Sequence, residues 1–168
     1  MVNITNPNFK PEYDTHAALT TGVHGIVRVL KSADETVNNS TTYQSDDELL
    51  FAVAANEVWQ FTIFLIVDSS AVADFKAKVI VPAGGAAYVL TYGRDSSDGT
   101  SVATLLADEG QHASGYGAGT PKMPMVMNGI IANGGTAGNL QLQWAQMTAE
   151  ATNTILKTNS CIVARRLA

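Results

Sequence analysis

Along most of the chain apolar and polar positions alternate with a period of two, and clusters of turn-forming residues interrupt the alternation at short intervals. The clearest run covers residues 58–67. Its odd positions Trp59, Phe61, Ile63, Leu65 and Val67 are all apolar, while its even positions begin polar at Gln60 and Thr62 and become apolar at Phe64 and Ile66. A strand with this pattern buries one face in a core, and its other face leaves solvent partway along for a second contact. Residues 75–81 alternate as a half-exposed strand, and Pro82-Ala83-Gly84-Gly85 ends it with turn chemistry. Strands are also predicted over residues 49–54, 86–92, 123–132 and 160–166, with a shorter one over 101–106. Asp46-Asp47-Glu48 reads as a polar lead-in, and Ala55-Asn56-Glu57 as punctuation. Residues 139–146 place Leu140, Leu142 and Trp144 on one face and glutamines on the other. The total is eight or nine short strands and no long helix. That count predicts an all-β fold, an antiparallel β-sandwich, and a jelly-roll is the common way to use eight strands in a chain of this size.

The start of the chain reads differently. Pro7 and Pro11 disfavour helix and remove backbone donors, so an extended N-terminal arm is predicted. Asp14 can cap a single helical turn through Leu19, which Gly22 would stop. The division is therefore a docking arm over residues 1–25 and a β-sandwich domain over residues 26–168. The arm has too little apolar surface to fold alone, and a partner would have to order it.

Composition changes this picture in one respect. Charged residues make up 15% of the chain against 46% hydrophobic ones, well under the roughly 25% charged usual in soluble domains. So bland a surface favours self-association, and a homo-oligomer is expected. The net charge is −5, and the only basic doublet is Arg165-Arg166, so the clustered footprint that nucleic acid requires is missing. Residues 1–8 have neither a basic nor an apolar signal region, and the longest apolar stretch, 61–67, is far too short to span a bilayer. A soluble protein made in the cytoplasm, with no membrane partner, is the expectation. The single Cys161 cannot form an intrachain disulfide, and beside Ile162 and Val163 it reads as a small buried apolar side chain.

Candidate chemistry is sparse. His16 and His24 straddle a glycine without a cysteine companion, and His112 follows Asp108-Glu109 beside a glycine-rich loop, so neither group has the spacing of a zinc site or a triad. No Gly-x-Ser-x-Gly elbow or phosphate-binding glycine loop occurs, and Asp46-Asp47-Glu48 lacks the alternation of a calcium loop. The expectation is a non-enzyme without catalytic, cofactor-binding or metal-ligating residues.

Two passages carry a resemblance. The segment from His16 to Gly25, with Thr20-Thr21-Gly22-Val23-His24-Gly25 at its heart, resembles a short motif that recurs in virion proteins of tailed bacteriophages, tail fibres particularly. The remainder is similar to a small β domain of phage structural proteins, through Lys31-Ser32-Ala33-Asp34-Glu35-Thr36-Val37, Ser40-Thr41-Thr42, Asp46-Asp47-Glu48-Leu49 and Phe51-Ala52-Val53-Ala54-Ala55-Asn56. Further on it continues in Gly138-Asn139-Leu140-Gln141-Leu142-Gln143-Trp144-Ala145-Gln146 and Ala164-Arg165-Arg166-Leu167. The resemblance implies a virion structural protein and no catalytic residue. The leading expectation is a capsid decoration or head-fibre protein on the phage particle surface. It would dock on the major capsid protein, or another virion protein, through Leu19, Val23 and His24. It would oligomerise, with a trimer favoured, through Phe64, Ile66, Tyr88 and Tyr92. The alternative is a receptor-binding tip module of a tail fibre, whose loops would meet a host surface glycan or receptor. A carbohydrate-active enzyme is a remote third.

Overall fold

The computed structural model describes residues 25–94, 101–106 and 123–168, with the backbone alone at residue 94 and over 101–106. All regular structure among these residues is β. Eleven strands follow in order: β1 (Ile26–Leu30), β2 (Glu35–Val37), β3 (Gln44–Val53), β4 (Val58–Asp68), β5 (Phe75–Ile80), β6 (Ala86–Arg94), β7 (Ser101–Leu106), β8 (Met123–Ala132), β9 (Gly138–Gln146), β10 (Thr154–Leu156) and β11 (Cys161–Arg166). They form two antiparallel sheets. The larger runs β1-β11-β4-β8-β6-β7, with β10 joined to β4 and β2 joined to β10; the smaller runs β3-β9-β5.

The core lies between the sheets. From β4 it takes Trp59, Phe61, Ile63, Leu65 and Val67, and from β8 Met123, Met125, Met127 and Ile131. The smaller sheet contributes Leu49, Phe51 and Val53, Phe75 and Val79, and Leu140, Leu142 and Trp144. Trp144 stacks on Phe75 with ring centroids 5.8 Å apart. Beside Phe61, β8 carries Gly129. A Cβ there would lie 2.5 Å from the Phe61 ring and 2.8 Å from the Tyr88 carbonyl oxygen, so only a residue without a side chain lets that ring lie across β8.

The all-β sandwich predicted from the alternation is present, and the strand over 123–132 has the predicted bounds. Other details differ for physical reasons. The strand count exceeds eight or nine because β2 and β10 have three residues each, too few to show a period, and exist by pairing with one another. Asp46 is not part of a solvated lead-in. β3 already begins at Gln44, its register slips between Ser45 and Leu50, and Asp46 is fully buried. Glutamines of β9 do not all face solvent, since Gln146 is buried at the strand end. Its side chain receives the amides of Ser40 and Glu150 and donates to the carbonyls of Glu150 and Thr152, so it organises the turn over 147–153. Cys161 is half-buried on the outer face of the larger sheet, because Ile162 and not Cys161 points into the core. The turn at Asn56 does adopt a left-handed conformation, with φ of 62°, as does Asn159 before β11, with φ of 70°.

Candidate assembly surface

The two outer faces of the sandwich differ in chemistry. On the smaller sheet the outward side chains are mostly polar and engaged. Gln141 donates to the Asp46 carbonyl, and Gln143 to the Ser45 hydroxyl. The ammonium groups of Lys76 and Lys78 stand 4.6 and 4.7 Å from the centre of the Tyr43 ring. Burial pushes the Tyr43 phenol up to about 12. This face is finished against water.

On the larger sheet the outward face is mostly apolar and, among the described residues, open. Register places its side chains in rows across the strands. One row runs Leu30, Cys161, Phe64, Val126 and Tyr92, across β1, β11, β4, β8 and β6. A second, four residues away along β4, runs Ile26, Arg165, Gln60, Ile130 and Tyr88. Between them lie Arg28, Val163, Thr62, Asn128 and Leu90, with Thr62 donating its hydroxyl to the Asn128 side chain at 2.7 Å. Beyond the first row the face continues through Ile66 and Pro124 to Asp68 and Ile155. Leu30 is 61% exposed, Tyr88 59%, Val163 46% and Phe64 37%. Isolated exposed apolar residues are ordinary, whereas a contiguous patch spanning five strands is a candidate contact surface.

Of the residues singled out from the sequence, Phe64, Ile66, Tyr88 and Tyr92 all fall on this face. Phe64 and Tyr92 share a row, and Tyr88 lies in the next. The switch of the even positions of β4 from polar to apolar singles out Phe64 and Ile66. Ile26, Leu30, Ile130 and Val163 belong to the same face and carried no separate signal, because only the register lines them up. Leu19, Val23 and His24 lie outside the described residues, as do His16, His112 and the glycine-rich loop.

The other concentration of polar side chains is buried and structural. The Lys31 ammonium, 1% exposed, is 2.8 Å from carboxylate oxygens of both Glu35 and Asp46 and 3.9 Å from Glu48. Burial alone would lower the Lys31 pKa, but the hydrogen bonds to Asp46 and Glu35 outweigh it and raise it. Burial raises the Glu35 carboxyl against the pull of Lys31, and the Asp46 charge adds to that. The second Asp46 oxygen accepts from the amides of Glu48 and Leu49, at 3.0 and 2.7 Å. The lysine fills the centre of the carboxylates, so the cluster is a clamp holding the slipped part of β3 to the end of β1 and the start of β2. Among the described residues no three His, Cys, Asp or Glu side chains are grouped to hold a metal ion, and no helix is long and apolar enough to cross a membrane.

No family model matches this chain, and no curated protein matches it. Among solved structures it is similar to chains of infectious bursal disease virus. The Gx strain structure gives 10% identity and a TM-score of 0.27 over 86% of this chain and 39% of that one. The Gt strain gives 9% and 0.25 over 85% and 40%, and the VP2 subviral particle 9% and 0.23 over 85% and 39%. The chain thus spans about two fifths of those proteins. Likenesses at this level carry no argument about what it does.

Proposed function

We propose that this protein is a non-catalytic structural component of a tailed-phage virion, a capsid decoration or head-fibre protein whose β domain assembles through the outer face of the larger sheet. One observation carries the assembly part: an open apolar face five strands wide, on a sandwich whose opposite face is polar and engaged. The virion part is supported by the resemblance of the Thr20-to-Gly25 motif and of the β domain to phage structural proteins. The strand order supports jelly-roll-like connectivity, with β1, β11, β4 and β8 adjacent in one sheet and β3, β9 and β5 in the other. In this reading residues 1–25 dock on the major capsid protein, with Leu19, Val23 and His24 in contact. Repetition around a particle then multiplies a modest affinity into lasting attachment.

The test is binding of the full chain, and of a chain lacking residues 1–25, to empty capsids and separately to host cells, with circular dichroism confirming that both are folded. Capsid binding that disappears with the deletion is the expected outcome. Cell binding that survives the deletion, without affinity for capsids, would instead make this a receptor-binding module of a tail fibre.

A further inference from the structure

We infer that the outer face of the larger sheet is covered by the same face of a second copy of this chain, the two related by a two-fold axis along the Leu30-Cys161-Phe64-Val126-Tyr92 row. This rests on the reading of that face as an assembly surface, and names its partner and geometry.

Three observations point to a second copy. The first is extent. Five strands at a spacing of about 4.8 Å, over about 20 Å of strand length, make a plane of about 500 Å². A facing pair therefore covers about 1,000 Å² before side-chain relief is added, the floor for a biological interface, and that relief carries it toward the ~1,200 Å² of a stable one. The second is form. The apolar residues make one surface on one face, and a single patch that meets itself is what a two-fold requires. A three-fold ring needs two different complementary patches on each subunit. The trimer expected from the sequence is thereby set aside in favour of a pair.

The third is charge. Among the described residues, the charged side chains projecting from this face are Arg28, Arg165 and Asp68, and neither Arg165 nor Asp68 has an ion pair there. Arg165 stands in register with Gln60, four residues before Phe64, and Asp68 stands four residues after it. Turning a copy about the Phe64 row exchanges these two ends of the face. Arg165 then meets the partner's Ile155 and, one strand spacing aside, the partner's Asp68. Packed sheets stand about 10 Å apart, which an arginine spans with its stem on the isoleucine and its guanidinium on the carboxylate. Symmetry makes the contact twice. A two-fold parallel to the strands would instead set Arg165 against the partner's Ile130, with no acid near it.

The same axis places Cys161 opposite the partner's Cys161 across the gap between sheets. That is too far for a disulfide but within reach of a short bis-maleimide.

The test is sedimentation equilibrium of the full chain, alone and as variants. A dimer is expected. Phe64→Asp, at a half-open position, and Tyr88→Lys, at a more exposed one, should each weaken it at least ~100-fold, with far-ultraviolet circular dichroism unchanged. Arg165→Asp and Asp68→Arg should each weaken it ~10-fold or more, and the double charge swap should restore it. Bis-maleimide should join two copies through Cys161. A monomer overturns the proposal, and so does a dimer that Phe64→Asp leaves intact. A trimer weakened by Phe64→Asp overturns the two-fold while leaving the assembly reading standing. Single charge variants that weaken the dimer without rescue in the double swap overturn the axis assigned here.

Discussion

Lys31 shows how much one side chain decides in this domain. It has a full positive charge in a site 1% exposed, against an Asp46 carboxylate that is not exposed at all. Burying both charges is costly, and their hydrogen bonds do little more than compensate. Removing one partner is different, because the other is left charged without its counter-ion. Lys31→Met should therefore destabilise the domain by about 3–5 kcal/mol, read as a shift in the midpoint of urea unfolding. The paired change Lys31→Met with Asp46→Asn should recover a large part of that loss. A single variant within about 1 kcal/mol of the parent would show that the clamp contributes no more than an exposed ion pair. The sequence did not disclose this residue. In Lys31-Ser32-Ala33-Asp34-Glu35 a lysine among polar neighbours reads as solvated, and Asp46-Asp47-Glu48 reads as a lead-in. Their burial follows from the slip in β3, and no local pattern announces a slip.

At the scale of elements, the joint between β3, β4 and β11 is held by Glu57. Its carboxylate accepts the Ala54 amide at 2.8 Å and the Trp59 indole N–H at 2.9 Å, and pairs with Arg166 at 3.0 Å. Burial would raise its pKa, but the hydrogen bonds from Trp59 and Ala54 and the Arg166 charge together lower it below the ordinary value of 4.5. A depressed folded-state pKa means that this stabilisation is fully present above the unfolded value and is lost as pH falls through the folded one. Glu48 acts in the same direction through the Ser32 and Ala33 amides, while the raised Glu35 acts in the opposite one. Glu57→Gln should lower stability at about pH 6, and should lose less than the parent between about pH 5 and pH 3. Urea midpoints measured across that range settle it: parallel curves for the two proteins would refute the assignment.

This joint was half legible. Ala55-Asn56-Glu57 announced the turn, and the alternation in β4 announced which face of Trp59 is buried. That Glu57 reaches Arg166 depends on β11 lying beside β4, which is a fact of topology. The same division holds for the assembly surface. Phe64 and Ile66 stood out as apolar positions on a face that began polar, whereas Leu30 and Val163 became part of it only through register.

For the molecule as a whole, the decisive feature is that the last strand lies inside the larger sheet. β11 sits between β1 and β4, and the chain end continues into the same joint, with the Leu167 amide on the Val58 carbonyl and the Val58 amide on the Ala168 carbonyl. Until residues 161–166 are in place, β1 has no neighbour in its sheet, and the Phe61–Ile63 part of β4 is open along one edge. A chain ending at residue 160 also loses Ile162 and Ala164 from the core. Such a chain should show no cooperative unfolding transition at all, and no dispersed amide resonances. Loss of the strand and change of connectivity can be separated, because the two ends of the described domain adjoin: the Arg166 amide donates to the Gly25 carbonyl at 3.1 Å. A circular permutant therefore separates the two effects. Joining residue 168 to residue 25 through a short glycine-serine linker, and opening the chain at the turn over residues 83–84, keeps every strand. It should unfold cooperatively within about 2 kcal/mol of a parent that begins at residue 25, since loop closure changes little with length. A permutant that fails to fold while that parent folds would mean that the β5–β6 turn is needed for folding itself. A truncated chain that still unfolds cooperatively would mean that the smaller sheet and β4, β8 and β6 hold the core without the strand that closes it.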